Sequence, residues 1–249
     1  MLGIFSSFDK HKAKANLKIC QSRIGLMKNK TIQLVEKTKN DIGIVMRANK
    51  IEQAKVKVEI LLREEMLIEA YETLGCLSEL LLARFSMVET EKACPLELKE
   101  IICSLIWASH RVDIQELKTL KQDLTNKYGS GLSAEAEKDG QKLTVAIATL
   151  ESGTGDIVSA EMERRAPKCV RESLVRLLSY RIPSPELVCG RLNKLAEEMK
   201  LEGWEMLVPP RPPSPVQLTP EEEQQISEFP VPPGGAPGRQ SGGYPGGPP

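Results

Sequence analysis

AKANLKICQSRIGLMKNKTIQL (residues 13–34) and VEILLREEMLIEAYETLGCLSELLLARFSMV (residues 58–88) decide the fold. In the first, Ala13, Leu17, Cys20, Ile24, Met27, Thr31 and Leu34 recur at alternating steps of four and three. In the second, Val58, Leu61, Leu67, Tyr71, Leu74, Leu77, Leu81, Phe85 and Val88 form a similar line, with Glu65 and Arg84 close beside it. Such spacing draws one narrow apolar seam down a helix. No proline interrupts either arm, and the polar Ala48-Asn49-Lys50 supplies a turn between them. Each arm spans roughly 38 residues, a rod of about 57 Å at 1.5 Å per residue. Neither rod can hide its seam alone, so the two are predicted to fold back as an antiparallel hairpin. Chemistry on such a scaffold lies on its outside, not in a pocket.

The charge is uneven. The formal net charge of the 249-residue chain is zero. Residues 1–57 nevertheless hold thirteen Lys or Arg against the four acids Asp9, Glu36, Asp41 and Glu52. At 100° per residue, Lys10, Lys14, Lys18, Lys28 and Lys39 fall on one shoulder of the first seam. Lys12, Arg23, Lys30 and Lys37 fall on the other. A helix basic on both shoulders suits a polyanion, either an anionic membrane or nucleic acid. The plainer reading is a solvated face rich in lysine. Few aromatic residues interleave the lysines, which disfavours single-stranded nucleic acid, because its binders stack bases on such rings. Ahead of the helix, Leu2, Ile4, Phe5 and Phe8 could wedge into a lipid interface. They could equally fray or fold onto the hairpin.

Further along, Pro95 can open a helix over Leu96–Ala108, whose IICSLIW is apolar nearly all round and reads as core. Another helix is predicted from Asp113 to Tyr128, ended by Gly129-Ser130-Gly131. Residues 130–166 read as a polar segment, a β-prone run (LTVAIATL) and a loop (ESGTGD), a possible insertion on the helical body. CVRESLVRLLSY (169–180) is helical in pattern, and Arg181-Ile182-Pro183 breaks it. Ser184-Pro185-Glu186 then starts a last helix, with Ser as cap and Pro in the first turn. That helix carries Leu187, Leu192, Leu195 and Met199. Thirteen of the seventeen prolines lie in 209–249, a tail that cannot bury a core and is expected to be disordered. The expected organisation is an all-α body over 1–205 and a Pro/Gly-rich tail over 206–249.

Enzyme classes find no support. The sequence holds no phosphate-cradling Gly loop, nucleophile elbow or metal motif. Cys20, Cys76, Cys94, Cys103, Cys169 and Cys189 are scattered without a CxxC pair, and two histidines assemble no zinc spacing. Free thiols in a reducing compartment are expected. No cofactor is implied. Neither a secretory leader nor a run of about 20 apolar residues is visible, so a soluble, cytoplasmic protein is expected.

Four blocks, in order, resemble one known family: LREEMLIEAYETLGCLSELLLARF (62–85), SLIWASHR (104–111), ELKTLKQDLTNKYG (116–129) and LLSYRIPSPELVCGRLNKLAEEM (177–199). The chain is similar, over roughly Lys10 to Trp204, to the increased-sodium-tolerance family, ESCRT-III-like regulators of vacuolar protein sorting. The resemblance implies a long helical hairpin with three or more shorter helices along it. It also implies a non-catalytic role, with ESCRT-III subunits and the AAA ATPase that dismantles their filaments as partners. The first helix, Lys10–Lys39, would then face anionic endosomal membrane, and self-assembly would be available. The 130–166 region is longer than the family leads one to expect.

The resemblance also directs attention to motifs that dock into the ATPase's MIT domain. A helical motif with a Leu-x-x-Arg-Leu-x-x-Leu core has a loose counterpart in Val188, Arg191, Leu192 and Leu195, where core packing competes as the explanation. An extended Pro-rich motif has one in Val208, Pro209, Pro212, Pro215 and Val216, with Arg211 where an apolar residue is usual. Such a segment binds at low entropic cost because it is already extended. A plain linker, or an SH3-type ligand built on Arg211 and Pro212-x-x-Pro215, fits the same residues.

Overall fold

The computed structural model describes residues 8–153, 155–179 and 182–209. Two helices dominate it, α1 (Lys10–Arg47) and α2 (Ile51–Ala83). They lie antiparallel. Gln21 meets Glu79 and Lys28 meets Glu72, so a step of seven along α1 is a step of seven back along α2. The turn is fixed by the backbone. Asn49 adopts φ 54°, which Asn tolerates better than most residues. The Lys50 N–H donates to the Val45 carbonyl and the Asn49 N–H to that of Met46, closing the end of α1 as a Schellman motif.

The expected seams face the core, Met27 and Leu67 only partly buried, with two corrections. Ala13, Leu17, Cys20, Ile24 and Thr31 are buried, but Leu34 is 45% exposed and Val35 takes its place. A helix turns every 3.6 residues, so a line stepped at 3.5 drifts sideways and the seam must shift. The second rod is also not continuous to Val88. Arg84 leaves the helical well at φ −107°, ψ 19°, and the chain restarts as α3 (Phe85–Thr90). Phe85 and Val88 remain in the core across that break.

Shorter helices pack along the hairpin. α4 (Leu96–Ala108) lies on α2 and is buried over Ile101–Ala108, as its all-round apolar sequence requires. α5 (Gln115–Tyr128) lies on α1 and ends at Gly129, whose φ of 89° favours glycine. The 130–166 region is not a polar segment with a β-prone run. It forms α6 (Ser130–Ser152) and α7 (Ile157–Arg165), with α6 against α4 and α5. Ala136, Gly140, Leu143 and Ile147 repeat at helical spacing and are buried, so packing overrides the β-branched run. α8 (Glu172–Leu178) rests on α2 and α6.

Two apolar clusters result. The larger joins the open end of the hairpin to α4, α5, α6 and α8, around the fully buried Trp107. The smaller lies toward the turn. There Ile42, Met46, Val58 and Leu61 meet Val188, Leu192 and Leu195 of α9 (Pro185–Glu198). The Ser184 hydroxyl caps α9 by accepting from the Leu187 N–H at 3.3 Å, with Pro185 in the first turn. Of the leucines on this helix, Leu192 and Leu195 are buried and Leu187 is 53% exposed.

Candidate functional site: the outer face of the first helix

α1 begins at Asp9, whose carboxylate accepts from the N–H groups of His11 and Lys12 at 2.9 and 3.1 Å. The Lys12 N–H is the main cause of this carboxyl's lowered pKa. From this cap the helix runs 38 residues with only one edge in the core.

The nine predicted basic residues divide into two sets. Four are engaged by acids: Lys14 by Glu89 at 3.8 Å, Arg23 by Glu116 at 3.6 Å, Lys28 by Glu72 at 3.5 Å and Lys39 by Glu36 at 3.1 Å. Three of those acids belong to α2–α5, so these cations stitch α1 to its neighbours. Their charge is partly offset by those acids. Lys10, Lys12, Lys18, Lys30 and Lys37 are exposed, with no acid within 4.0 Å among the described residues.

The same face carries apolar residues that the charge count overlooks. Ile19 is 54% exposed, Leu26 55% and Ile44 62%. Lys12, Ile19, Leu26, Lys30, Lys37 and Ile44 follow one another at steps of seven and four. They therefore form a single line along the outside of α1. Ammonium groups interspersed with bare aliphatic side chains are the surface an anionic lipid interface accepts. The step of seven was readable in the sequence. That it faces solvent required the packed structure.

The two docking motifs fare differently. Val188, Leu192 and Leu195 are core residues, and Arg191 donates to Glu65 of α2 at 2.6 Å. That helical motif is consumed by packing. After α9, Lys200 takes φ 50° and the chain turns back across the hairpin's tip. The Asn193 side chain fastens this strap. Its oxygen accepts from Trp204 Nε1 at 3.1 Å and from the Leu207 N–H at 2.9 Å, and its amide donates to the Leu207 carbonyl at 2.9 Å. Val208 emerges 84% exposed and Pro209 is partly covered. Pro212, Pro215 and Val216 lie outside the described residues.

A cleft of about 640 Å³ opens beside this strap, lined among others by Arg47, Asn49, Lys200, Glu202 and Trp204. No histidine, cysteine or hydroxyl side chain lines it. No helix among the described residues is long and apolar enough to cross a membrane.

Comparison with known proteins agrees with this architecture. The family described as "Ist1: Regulator of Vps4 activity in the MVB pathway" matches residues 14–152. An IST1-like protein of Dictyostelium discoideum is 31% identical over 212 residues, covering 85% of this chain and 50% of that one. The vacuolar protein sorting-associated protein IST1 of Saccharomyces cerevisiae is 32% identical over 119 residues, 44% of this chain and 40% of the yeast protein. The chain thus matches half or less of the length of these relatives. In structure it is similar to the N-terminal domain of S. cerevisiae Ist1, crystallised in complex with the Did2 MIM motif. The TM-score is 0.60 at 23% identity, over 79% of this chain and 97% of that one. With the family matched across α1 to α6 and the hairpin shared, the chain belongs to the Ist1 family, the increased-sodium-tolerance family of ESCRT-III-like regulators.

Proposed function

We propose that this protein is a non-catalytic regulator of ESCRT-III assemblies at endosomal membranes, acting on multivesicular-body sorting and protein transport. The observation that carries the membrane part is the line of unpaired lysines and exposed aliphatic residues on α1. Each such lysine near an anionic leaflet contributes on the order of 1 kcal/mol. Ile19, Leu26 and Ile44 add apolar contact. Family membership supports the partners: ESCRT-III subunits and the disassembly ATPase, reached through its MIT domain. The exposed Val208 at the exit of the strap marks where the Pro-rich docking segment would begin.

The two sets of cations make the test specific. Liposome flotation with anionic vesicles compares Lys12, Lys18, Lys30 and Lys37 reversed to Glu against Lys14, Lys28 and Lys39 reversed to Glu. The first change abolishes flotation and spares folding. The second lowers the melting temperature before it lowers binding. Undiminished flotation after the first change refutes the reading, and salt-sensitive retention of RNA or DNA without lipid binding would replace it with nucleic-acid binding. Pulldown of purified ESCRT-III subunits and the MIT domain, with and without residues 208–249, tests the partners. Loss of the MIT domain alone on truncation is the expected result.

A further inference from the structure

Where the chain enters α9, residues 182–187 read Ile-Pro-Ser-Pro-Glu-Leu. Ile182 is 78% exposed and Leu187 53%, although the apolar line that follows, Val188, Leu192 and Leu195, is buried. Ser184, Pro185 and Glu186 between them are exposed as well. The backbone at Ser184 is extended, with φ −66° and ψ 151°. Its hydroxyl oxygen accepts a long bond from the Leu187 N–H at 3.3 Å, while the Val188 N–H goes to the Ser184 carbonyl. A hydroxyl therefore stands outward on an extended stretch, directly before a proline. Two aliphatic side chains that leave most or half of their surface in water bracket it. The chain holds three Ser-Pro or Thr-Pro steps, at Ser184, Ser214 and Thr219, and the first is the one among the described residues.

We infer that Ser184 is a phosphoryl acceptor for a proline-directed protein kinase, with Ile182, Pro185 and Leu187 as its recognition contacts. A kinase takes its acceptor as an extended segment, and Ser184 already has that conformation. Beyond it only the first turn of α9 must fray, and helix ends open at little cost. Pro185 selects the class of enzyme. A subsite that offers no acceptor to the N–H after the serine penalises every residue that has one, and proline has none to strand. Ile182 and Leu187 supply apolar contact without any unfolding of the core. In the step itself a bond forms between Ser184 Oγ and the γ-phosphorus of ATP, and the bond from that phosphorus to the bridging oxygen breaks. The hydroxyl proton passes to the kinase's catalytic carboxylate, and ADP leaves. The product places a phosphate at the head of α9, where negative charge is favoured. Glu186 opposes it. Its carboxyl is held below the usual range by its own backbone N–H and then by the Ser184 hydroxyl, and esterification ends the second bond. Being exposed, that carboxylate turns to solvent, where screening weakens the repulsion. The modification therefore holds α9 more firmly over Ile42, Met46, Val58 and Leu61. No residue of the α1 outer face takes part, so the inference stands apart from the membrane reading.

The test uses the full chain carrying Ser214→Ala and Thr219→Ala, which leaves Ser184-Pro185 as its last Ser-Pro or Thr-Pro step. It is incubated with a purified kinase of the mitogen-activated class and Mg-ATP, beside a synthetic peptide of residues 179–190. Intact mass shows one phosphate per folded chain, and fragmentation places it on Ser184. Ser184→Ala takes up none, and Pro185→Ala is modified about tenfold more slowly. Circular dichroism checks that both variants fold, and should either unfold, the fragmentation map of the parent decides. A folded chain that takes up no phosphate overturns the site, and a peptide modified under the same conditions then shows that the fold withholds the hydroxyl. Uptake that persists in Ser184→Ala, or that is indifferent to Pro185, overturns it too. Hydrogen exchange of the modified chain reads the consequence, with amides of Pro185–Glu198 exchanging about two- to fivefold more slowly. Exchange there that is unchanged or faster refutes the tightening of α9.

Discussion

Gly140→Ala separates two opposite expectations. Gly140 lies in the middle of α6, where alanine normally stabilises a helix by about 1 kcal/mol. The structure reverses that sign. A methyl group at Gly140 would stand 2.8 Å from Trp107 Cε2 and closer still to Nε1 and Cδ1 of the same ring. Trp107 is fully buried, and the Arg111 guanidinium sits 3.9 Å from its ring centroid, so a displaced indole loses that contact too. Overpacking of this kind costs about 1–3 kcal/mol, and a blocked ring belongs at the upper end. Set against the helix preference, the net destabilisation is about 2 kcal/mol. For a body of this size that lowers the melting temperature by about 4–8 °C. Thermal unfolding of the full chain followed by far-ultraviolet circular dichroism measures it. Trp107→Phe in the Gly140→Ala background frees space and should return part of the loss, as a double-mutant cycle would show. A Gly140→Ala protein that melts at or above the parent refutes the placement of α6 on α4.

Three further outcomes follow from the geometry. Arg191→Ala leaves Glu65 without its bidentate partner in a mostly buried setting and should cost about 2 kcal/mol, read as a lower urea midpoint. An unchanged midpoint would show that α9 is held by its apolar face alone. Asn193→Ala removes all three bonds that fasten the strap. Tryptic cleavage after Lys200 should accelerate and Trp204 emission shift to the red, with the main melting transition nearly unmoved; cleavage at the parent rate counts against the latch. Hydrogen bonds from Arg164 and Arg165 hold the Glu161 carboxyl at about 2, below its ordinary 4.5. Its contribution is complete above pH 4.5 and disappears as pH falls toward 2. Hydrogen exchange across α7 should rise through that window in the parent and show a flatter profile in Glu161→Gln.

The hairpin was legible because its signal is local. The periodicity of Ala13–Thr31 and of Tyr71–Val88 is written in consecutive residues, and so is the Ser184-Pro185 start of α9. The handover from Leu34 to Val35 needed the true helical pitch. α6 was illegible for a different reason. Its opening Ser-Gly-Leu-Ser and its Leu-Thr-Val run carry turn and strand preferences, and the buried line Ala136, Gly140, Leu143 and Ile147 is thin. Only Trp107, a residue of another helix, explains why a glycine belongs in it. The basic face was half legible. The lysines can be counted, but Glu72, Glu89 and Glu116, which engage three of the nine cations, are distant in sequence. The exposed aliphatic residues between the free lysines were visible only as departures from the buried seam. Likewise Asn193, unremarkable in a run of helix formers, turns out to hold three polar groups of a segment eleven to fourteen positions downstream.

That latch has a mechanical consequence. The strap crosses the hairpin's tip and exits at Val208, and its bonds to Asn193 lie nearest the exit. A pull on the chain from beyond Pro209 would strain Leu207 first, Trp204 next and the close of α9 after that. The contacts are loaded one after another instead of together, so the strap unzips where a sheared helix pair would resist. A modest tension applied from that side would therefore bare the surface under the strap while the hairpin itself stayed intact.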